Sequence, residues 1–309
     1  MKPKQIPQGF SLRHTLKASN RAITRLAWSP DGTLLCSAAY DQSVRVWDPV
    51  SGNLLKEISS YSGSVFTVAI LPDNRHVISA SKKAIKIWDL TGKTLSRTLQ
   101  GHQDYIYAID VSNDAEYVVS GAYDQLVKVW HLATGEVVST LSGHRGRVGI
   151  VTFHPNGRFV VSGAGDGLVK IWDWQAEEEV HTLNGHRGEV LSLAMIPGGE
   201  LLASSAYSGD VRIWDVADGR EVQVLTRHKK PVTGVDFSYD GRFLASKSAD
   251  GTVRLWQTTD WREITILPET HSTFAFASLA FHPSQPVLAT LGEKDKVIRI
   301  WDIDFSPWQ

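Results

Sequence analysis

The sequence predicts an all-β fold made of seven copies of one four-stranded antiparallel unit, closed into a ring. Three observations carry that reading. Tryptophan recurs at Trp47, Trp88, Trp130, Trp172, Trp214, Trp256 and Trp301, at intervals of 41 to 45 residues, and five of the seven precede aspartate, as in Trp47-Asp48. A period of that length, ended by Trp-Asp and opened by Gly-His, marks a copied supersecondary unit. Between the tryptophans, short runs rich in β-branched and aromatic residues alternate with turn chemistry. The turns also agree from copy to copy.

The third copy shows the elements in order. Tyr105 to Val111 alternates and ends at the turn Ser112-Asn113-Asp114-Ala115; Tyr117 to Gly121 follows, then a tight turn around Asp124. Leu126 to Trp130 is the third run, and beyond Thr134-Gly135 comes the fourth, Val137 to Leu141. The first turn recurs as Ser29-Pro30-Asp31-Gly32, Leu71-Pro72-Asp73-Asn74, His154-Pro155-Asn156-Gly157 and Ser238-Tyr239-Asp240-Gly241. Proline presets one backbone angle there, and Gly or Asn supplies the left-handed one. A lone sheet of this size has two faces to cover and cannot bury both. Stacking copies face to face in a ring covers them.

Composition narrows the function classes. The 309 residues carry 32 Lys+Arg against 33 Asp+Glu, so no broad basic footprint for nucleic acid is present. The single cysteine, Cys36, excludes an intrachain disulfide framework and a cysteine-based zinc site, and its strand-like setting reads as a small buried hydrophobe. The N-terminal residues lack a secretory pattern, and no run of 18 apolar residues occurs. A cytoplasmic, membrane-free monomer is expected, with no metal and no cofactor.

On these motifs the chain resembles the WD40 β-propeller family over nearly its whole length, and the even step is similar to bacterial, especially cyanobacterial, members. The resemblance implies seven four-stranded blades around a central channel. Residues 1–9 read as an N-terminal extension to a single propeller at 10–309. Its blades fall at 18–60, 61–100, 101–142, 143–184, 185–226, 227–268 and 269–309, with 10–17 as a closing strand. The last copy leaves no room for a fourth strand after Trp301-Asp302-Ile303, whereas Ser11 to Leu16 matches Val137 to Leu141. The N-terminal strand is therefore expected to complete blade 7 and remove the exposed edge.

The family pattern also implies a hydrogen-bonded His, Ser, Asp and Trp in each blade. Three copies have all four: His102, Ser120, Asp124 and Trp130; His144, Ser162, Asp166 and Trp172; His228, Ser246, Asp250 and Trp256. A Ser–His–Asp set invites a hydrolase reading. Repetition at equivalent interior positions makes it a structural frame instead, so no catalytic residue is expected. The first copy has Ser19 for histidine; the second has Tyr61, with Lys82-Lys83 in a turn one residue short. The fifth has Ser208 for aspartate, and the seventh keeps His271, Asp295 and Trp301 with Thr290 displaced by an insertion. Blade 2 is expected to be the softest.

Carrying the family's top-face positions onto this chain gives an uneven rim. Tyr40, Phe66, Tyr105, Tyr107, Tyr123, Leu191 and Tyr207 gather there around Arg147, and five of the chain's eight tyrosines are among them. In blade 7 the best matches are Ala275, Ala277 and Lys294. Tyrosine and arginine are frequent binding hot spots. The sequence thus points to a non-catalytic interaction scaffold or sensing adaptor whose aromatic rim docks a protein or peptide, or a domain of the same longer polypeptide. The alternatives are a phosphorylated, acidic or nucleic-acid ligand held by an arc of Arg145, Arg147, Arg187, Lys229 and Lys230, and, more remotely, an enzyme at the channel mouth.

Overall fold

Seven four-stranded antiparallel sheets form the molecule. The computed structural model describes residues 6–59, 61–92, 94–270, 279–292 and 294–308. In six sheets the strands follow chain order from the centre outward, as in blade 3 with Ile106–Val111, Tyr117–Ala122, Val127–His131 and Val137–Leu141. Each inner strand packs on the inner strands of the blades before and after it, and the first packs on the last, so the sheets close a ring. The fold is a seven-bladed β-propeller.

Position in the blade decides the burial pattern. The second strand has a neighbouring blade on each face, so Val118 through Ala122 are all buried. The outer strand faces solvent and keeps one buried anchor: Ile58, Leu99, Leu141, Leu183, Leu225 and Leu267 occupy that place in blades 1 to 6. In blade 7 the place is taken by Leu16, contributed by the strand Phe10–Lys17, which pairs antiparallel with Val297–Ile303 in the register Leu12 to Trp301 and Leu16 to Ile298. The ring is thus closed by the N-terminal strand. A short 3-10 turn, Ser306–Trp308, folds back over this seam, where Trp308 and Phe305 pack on Phe10 and Phe243. The seven repeat tryptophans and Cys36 are all buried.

Two irregularities recur. A bulge interrupts the pairing at each repeat tryptophan of blades 1 to 6. A second falls just inside the start of the inner strand, between Val65 and Thr67, Ile106 and Ala108, or Val190 and Ser192, for example. A bulge leaves its extra residue unpaired and re-aims its side chain. Those residues include Phe66, Tyr107, Gly149 and Leu191, all of which line the channel mouth.

Candidate functional site

The frame of each blade comes first, because it fixes the rim. In blade 4 the Trp172 indole N–H donates to Ser162 Oγ at 2.8 Å, Ser162 donates to His144 Nε2 at 2.8 Å, and His144 Nδ1 meets Asp166 at 3.0 Å. The same chain runs through Trp130, Ser120, His102 and Asp124, with Nδ1–carboxylate contact at 2.9 Å, and through Trp256, Ser246, His228 and Asp250, with contact at 3.0 Å. The three serines are fully buried and each joins its histidine to its tryptophan. Buried polar groups are being satisfied here; no substrate can reach the serine.

The irregular copies depart from the sequence expectation in instructive ways. In blade 5, where Ser208 was the expected stand-in for aspartate, Asp210 reaches His186 at 3.3 Å, an ion-pair distance without hydrogen-bond alignment. Its turn, at Gly209, carries a φ of +90°, which lets the carboxylate arrive from two residues further on. In blade 7, buried Glu269 accepts from Thr290 at 2.6 Å and pairs with Arg299 at 2.9 Å, while Trp301 donates to Thr290 at 3.0 Å. His271, Ala275 and Ala277 lie outside the described residues. In blade 1, Ser19 bonds Asp41 at 2.7 Å and Arg45 supplies the cation. In blade 2 the Tyr61 hydroxyl meets Ser79, and no aligned acceptor remains for the Trp88 indole.

Burial outweighs the carboxylate in two of these histidines. Removal from water pulls the pKa of His102 below its ordinary value of 6.5 against the hydrogen bond and charge of Asp124, and it does the same to His144 against Asp166. With the folded pKa depressed, each imidazole contributes stability that is full above about pH 6.5 and is lost as pH falls through its folded value. Asp236 works in the opposite sense. It lies deep among the inner strands, although the channel leaves it partly accessible, and burial pushes it up to about 7 against amide bonds from Phe281 and Phe237 and the charge of Arg25. A global melting curve mixes the two trends, so the readout is the imidazole itself. The ring-proton shifts of His102 and His144 are expected to titrate with midpoints below 6.5; midpoints at or above that value would mean the aspartates dominate.

The rim is a row of aromatic edges. Tyr40 packs on Phe66 with centroids 5.8 Å apart, Phe66 on Tyr105 at 6.1 Å and on Tyr107 at 5.0 Å, and Tyr107 on Tyr123 at 6.3 Å. Five rings from three successive blades are thereby joined. Tyr105 and Tyr123 are 43% and 51% exposed, which is large for side chains so placed. Tyr207, 60% exposed in blade 5, makes no ring contact among the described residues, and Leu191 lines the channel mouth instead of joining the row.

Arg147 corrects the basic-arc expectation. Its guanidinium lies over the Tyr107 ring at 5.2 Å and holds Glu189 through two bonds of 2.6 and 2.7 Å. A bidentate carboxylate occupies the planar fork that would have bound a ligand anion, so the arc loses its centre. The two residues are 42 apart and occupy equivalent positions in adjacent blades. The mouth they close, floored by Arg25 and walled by Thr24, Phe66, Tyr107 and Leu191, encloses about 30 Å³. That holds about two water molecules, far below the roughly 300 Å³ of a small ligand pocket.

Sequence reasoning missed the charges of the channel and the histidines between blades. Asp110 accepts from the amide of Phe153 at 2.8 Å and Asp236 from that of Phe281 at 2.7 Å, so each bolts its blade to the next. A charge inside an otherwise apolar inner strand was the available signal. His14, His154, His181 and His282 each hydrogen-bond a backbone carbonyl of the following blade, those of Val50, Gly199, Ala217 and Gly32. No helix among the described residues is long and apolar enough to cross a membrane.

Comparison with known proteins agrees with this geometry. The family described as WD domain, G-beta repeat, matches at residues 10–48, 52–89, 93–131, 135–173, 177–215, 219–257 and 262–302. Each matched unit begins with the outer strand of one blade and continues into the next, the stagger that makes Phe10–Lys17 part of blade 7. Similar curated proteins include Autophagy-related protein 16 of Arabidopsis thaliana, 37% identical over 98 residues, which is 31% of this chain and 19% of that protein. COMPASS component SWD3 of Saccharomyces cerevisiae is 31% identical over 120 residues, 38% of each chain. Eukaryotic translation initiation factor 3 subunit I of Xenopus tropicalis is 39% identical over 83 residues, 26% of each. The matched stretches thus span well under half of these relatives.

Proposed function

The chain belongs to the WD40 repeat family, and from that membership we propose that it is a non-catalytic scaffold that docks a peptide or protein across the aromatic rim of blades 1 to 3. The observation that carries the proposal is the joined row of Tyr40, Phe66, Tyr105, Tyr107 and Tyr123, exposed at Tyr105 and Tyr123. Aromatic rings supply large contact area at low conformational cost, and the tyrosine hydroxyls give a polar handle. Phe66 and Tyr107 are aimed by bulges on a closed β-frame and the other rings pack on them, so little ordering remains to be done on binding. Two of the similar proteins are by name a component and a subunit of larger assemblies, which favours a scaffold role. The serine–histidine–aspartate sets are buried, and the channel mouth is too small for a substrate, which weighs against catalysis.

Capture from a lysate of the source cells tests the rim. A Tyr105→Ala/Tyr107→Ala/Tyr123→Ala variant that keeps the wild-type melting temperature is expected to lose at least tenfold in retention of the principal captured protein, as removal of clustered hot spots does. If Tyr107, which supports Arg147, lowers stability, the Tyr105→Ala/Tyr123→Ala pair serves in its place. Equal capture by wild type and variant would move the docking site to another face.

A further inference from the structure

Blade 2 departs from the ring in a way that the docking rim does not explain. Its second turn is one residue short and holds Lys82 and Lys83 where blades 1, 3, 4, 6 and 7 place an aspartate. Facing the entry of blade 3, that turn opens a cavity of about 630 Å³, lined among others by Ser62, Ser81, Lys82, Lys83, Lys86 and Tyr105. The size lies in the range of built ligand pockets.

The charge of this cavity is as unusual as its shape. Each blade carries a basic residue two places before its tryptophan, and elsewhere that residue is met. Lys170 pairs with Glu179, Arg212 with Asp210 and Glu221, Arg254 with Glu263, Arg299 with Glu269, and Lys128 bonds Thr140. In blade 2 the residue is Lys86; the turn aspartate is missing, and Leu95 stands in the register position that Glu179 fills in blade 4. Lys86 lies instead over the Tyr61 and Trp88 rings, its ammonium 5.2 and 5.6 Å from their centroids. Lys82, Lys83 and Lys86 form no ion pair among the described residues, and no carboxylate lines the cavity. Asp104, between the wall residues Gln103 and Tyr105, accepts from the Tyr105 amide at 2.8 Å. His102, on the wall, is committed to Ser120 and Asp124.

We propose that this cavity binds a phosphate monoester, carried by a phosphorylated side chain of the docked peptide. Three lysines offer only N–H donors and three charges, which suits a dianion with three acceptor oxygens. A single carboxylate would leave two ammonium groups unmatched, and the planar fork that favours carboxylates is absent. Bare phosphate would leave most of the volume empty, whereas a side chain with its flanking backbone fills it. Tyr105 lies on the cavity wall and in the aromatic row, so one extended peptide reaches both. The peptide source rests on the docking proposal; the phosphate site does not.

The test uses O-phosphoserine as the first probe, against the isotope-labelled full chain at constant ionic strength. Saturable shifts are expected at the amides of Lys82, Lys83 and Gln103, with none from serine, and a Lys82→Gln/Lys83→Gln variant should weaken binding at least tenfold. Both lysines are exposed, so this variant should keep the wild-type fold. Shifts that follow added sodium chloride equally, or binding unchanged in the variant, would overturn the site. A degenerate phosphoserine peptide library should then be retained more than tenfold over its unphosphorylated counterpart. Retention of the free amino acid without preference for phosphopeptides would overturn the peptide source. A Tyr107→Ala/Tyr123→Ala variant, which leaves the cavity wall untouched, separates the two proposals: failure of rim docking leaves phosphoserine binding intact, and failure of the phosphate site leaves tyrosine-dependent capture intact.

Discussion

Removing residues 1–17 is expected to lower the melting temperature by on the order of 10 °C and to make the protein self-associate. The strand Phe10–Lys17 is the fourth strand of blade 7, and its loss exposes the whole outer edge of Val297–Ile303. Phe10 and Leu16 are its buried side chains, and withdrawing two such residues from the core costs about 3–6 kcal/mol before any backbone pairing is counted. A kilocalorie corresponds to about 2–4 °C in a chain of roughly this size. The unpaired edge is also a template for another chain. Differential scanning calorimetry and light scattering read both effects, and a peptide covering residues 6–18 added in trans should restore part of the lost stability. A Phe10→Ala/Leu16→Ala variant of the full chain separates side-chain burial from edge pairing. An unchanged melting curve for the truncated protein would mean that blade 7 holds with three strands and that closure contributes nothing.

Much of this architecture was legible because the ring repeats its own solution. A tryptophan every 42 residues or so, one buried leucine or isoleucine per outer strand, and a left-handed residue in the first turn of blades 1 to 6 are constraints of backbone and burial, and these leave a period in the chain. Leu16 could be assigned to blade 7 for that reason: Ser11 to Leu16 carries the outer-strand pattern at the wrong end of the sequence. The bulges were not legible, since a bulge is a register event that any residue type tolerates. Yet they are what turn Phe66 and Tyr107 toward the channel mouth.

The site was read less fully, for reasons that are physical. Hydrogen-bonded sets depend on where an oxygen arrives, so Asp210 and Glu269 serve from offsets that a motif search passes over. Arg147 was taken as a free cation because Glu189 is 42 residues away, although the period itself places the two side by side. Asp110, Asp236 and Arg25 stood as isolated charges in apolar strands, and only the ring gathers them in one channel. The lysine cavity of blade 2 is a feature of absence. A shortened turn and an unmet basic residue are visible only once the other blades show what meets that residue elsewhere.

The serine at the centre of each frame gives the second large effect, and comparison between blades tests its cause. Ser162→Ala is expected to destabilise by about 1–3 kcal/mol, because two buried groups, the Trp172 indole and His144 Nε2, lose their partner together. Ser37→Ala in blade 1 should cost less. Among the described residues Ser37 there meets only Trp47, at 3.1 Å, while Ser19 turns to Asp41. Both serines are buried and both lose one hydroxyl, so simple cavity formation predicts equal costs. Guanidinium denaturation of the two variants decides the matter: a larger loss for Ser162→Ala assigns the cost to unpaired polar groups. A Ser162→Ala/His144→Ala double variant should then fall well short of the sum of the single losses, since the second change removes a group already stranded by the first. Equal single losses, or additive double loss, would show that the set is four neighbouring side chains rather than one connected unit.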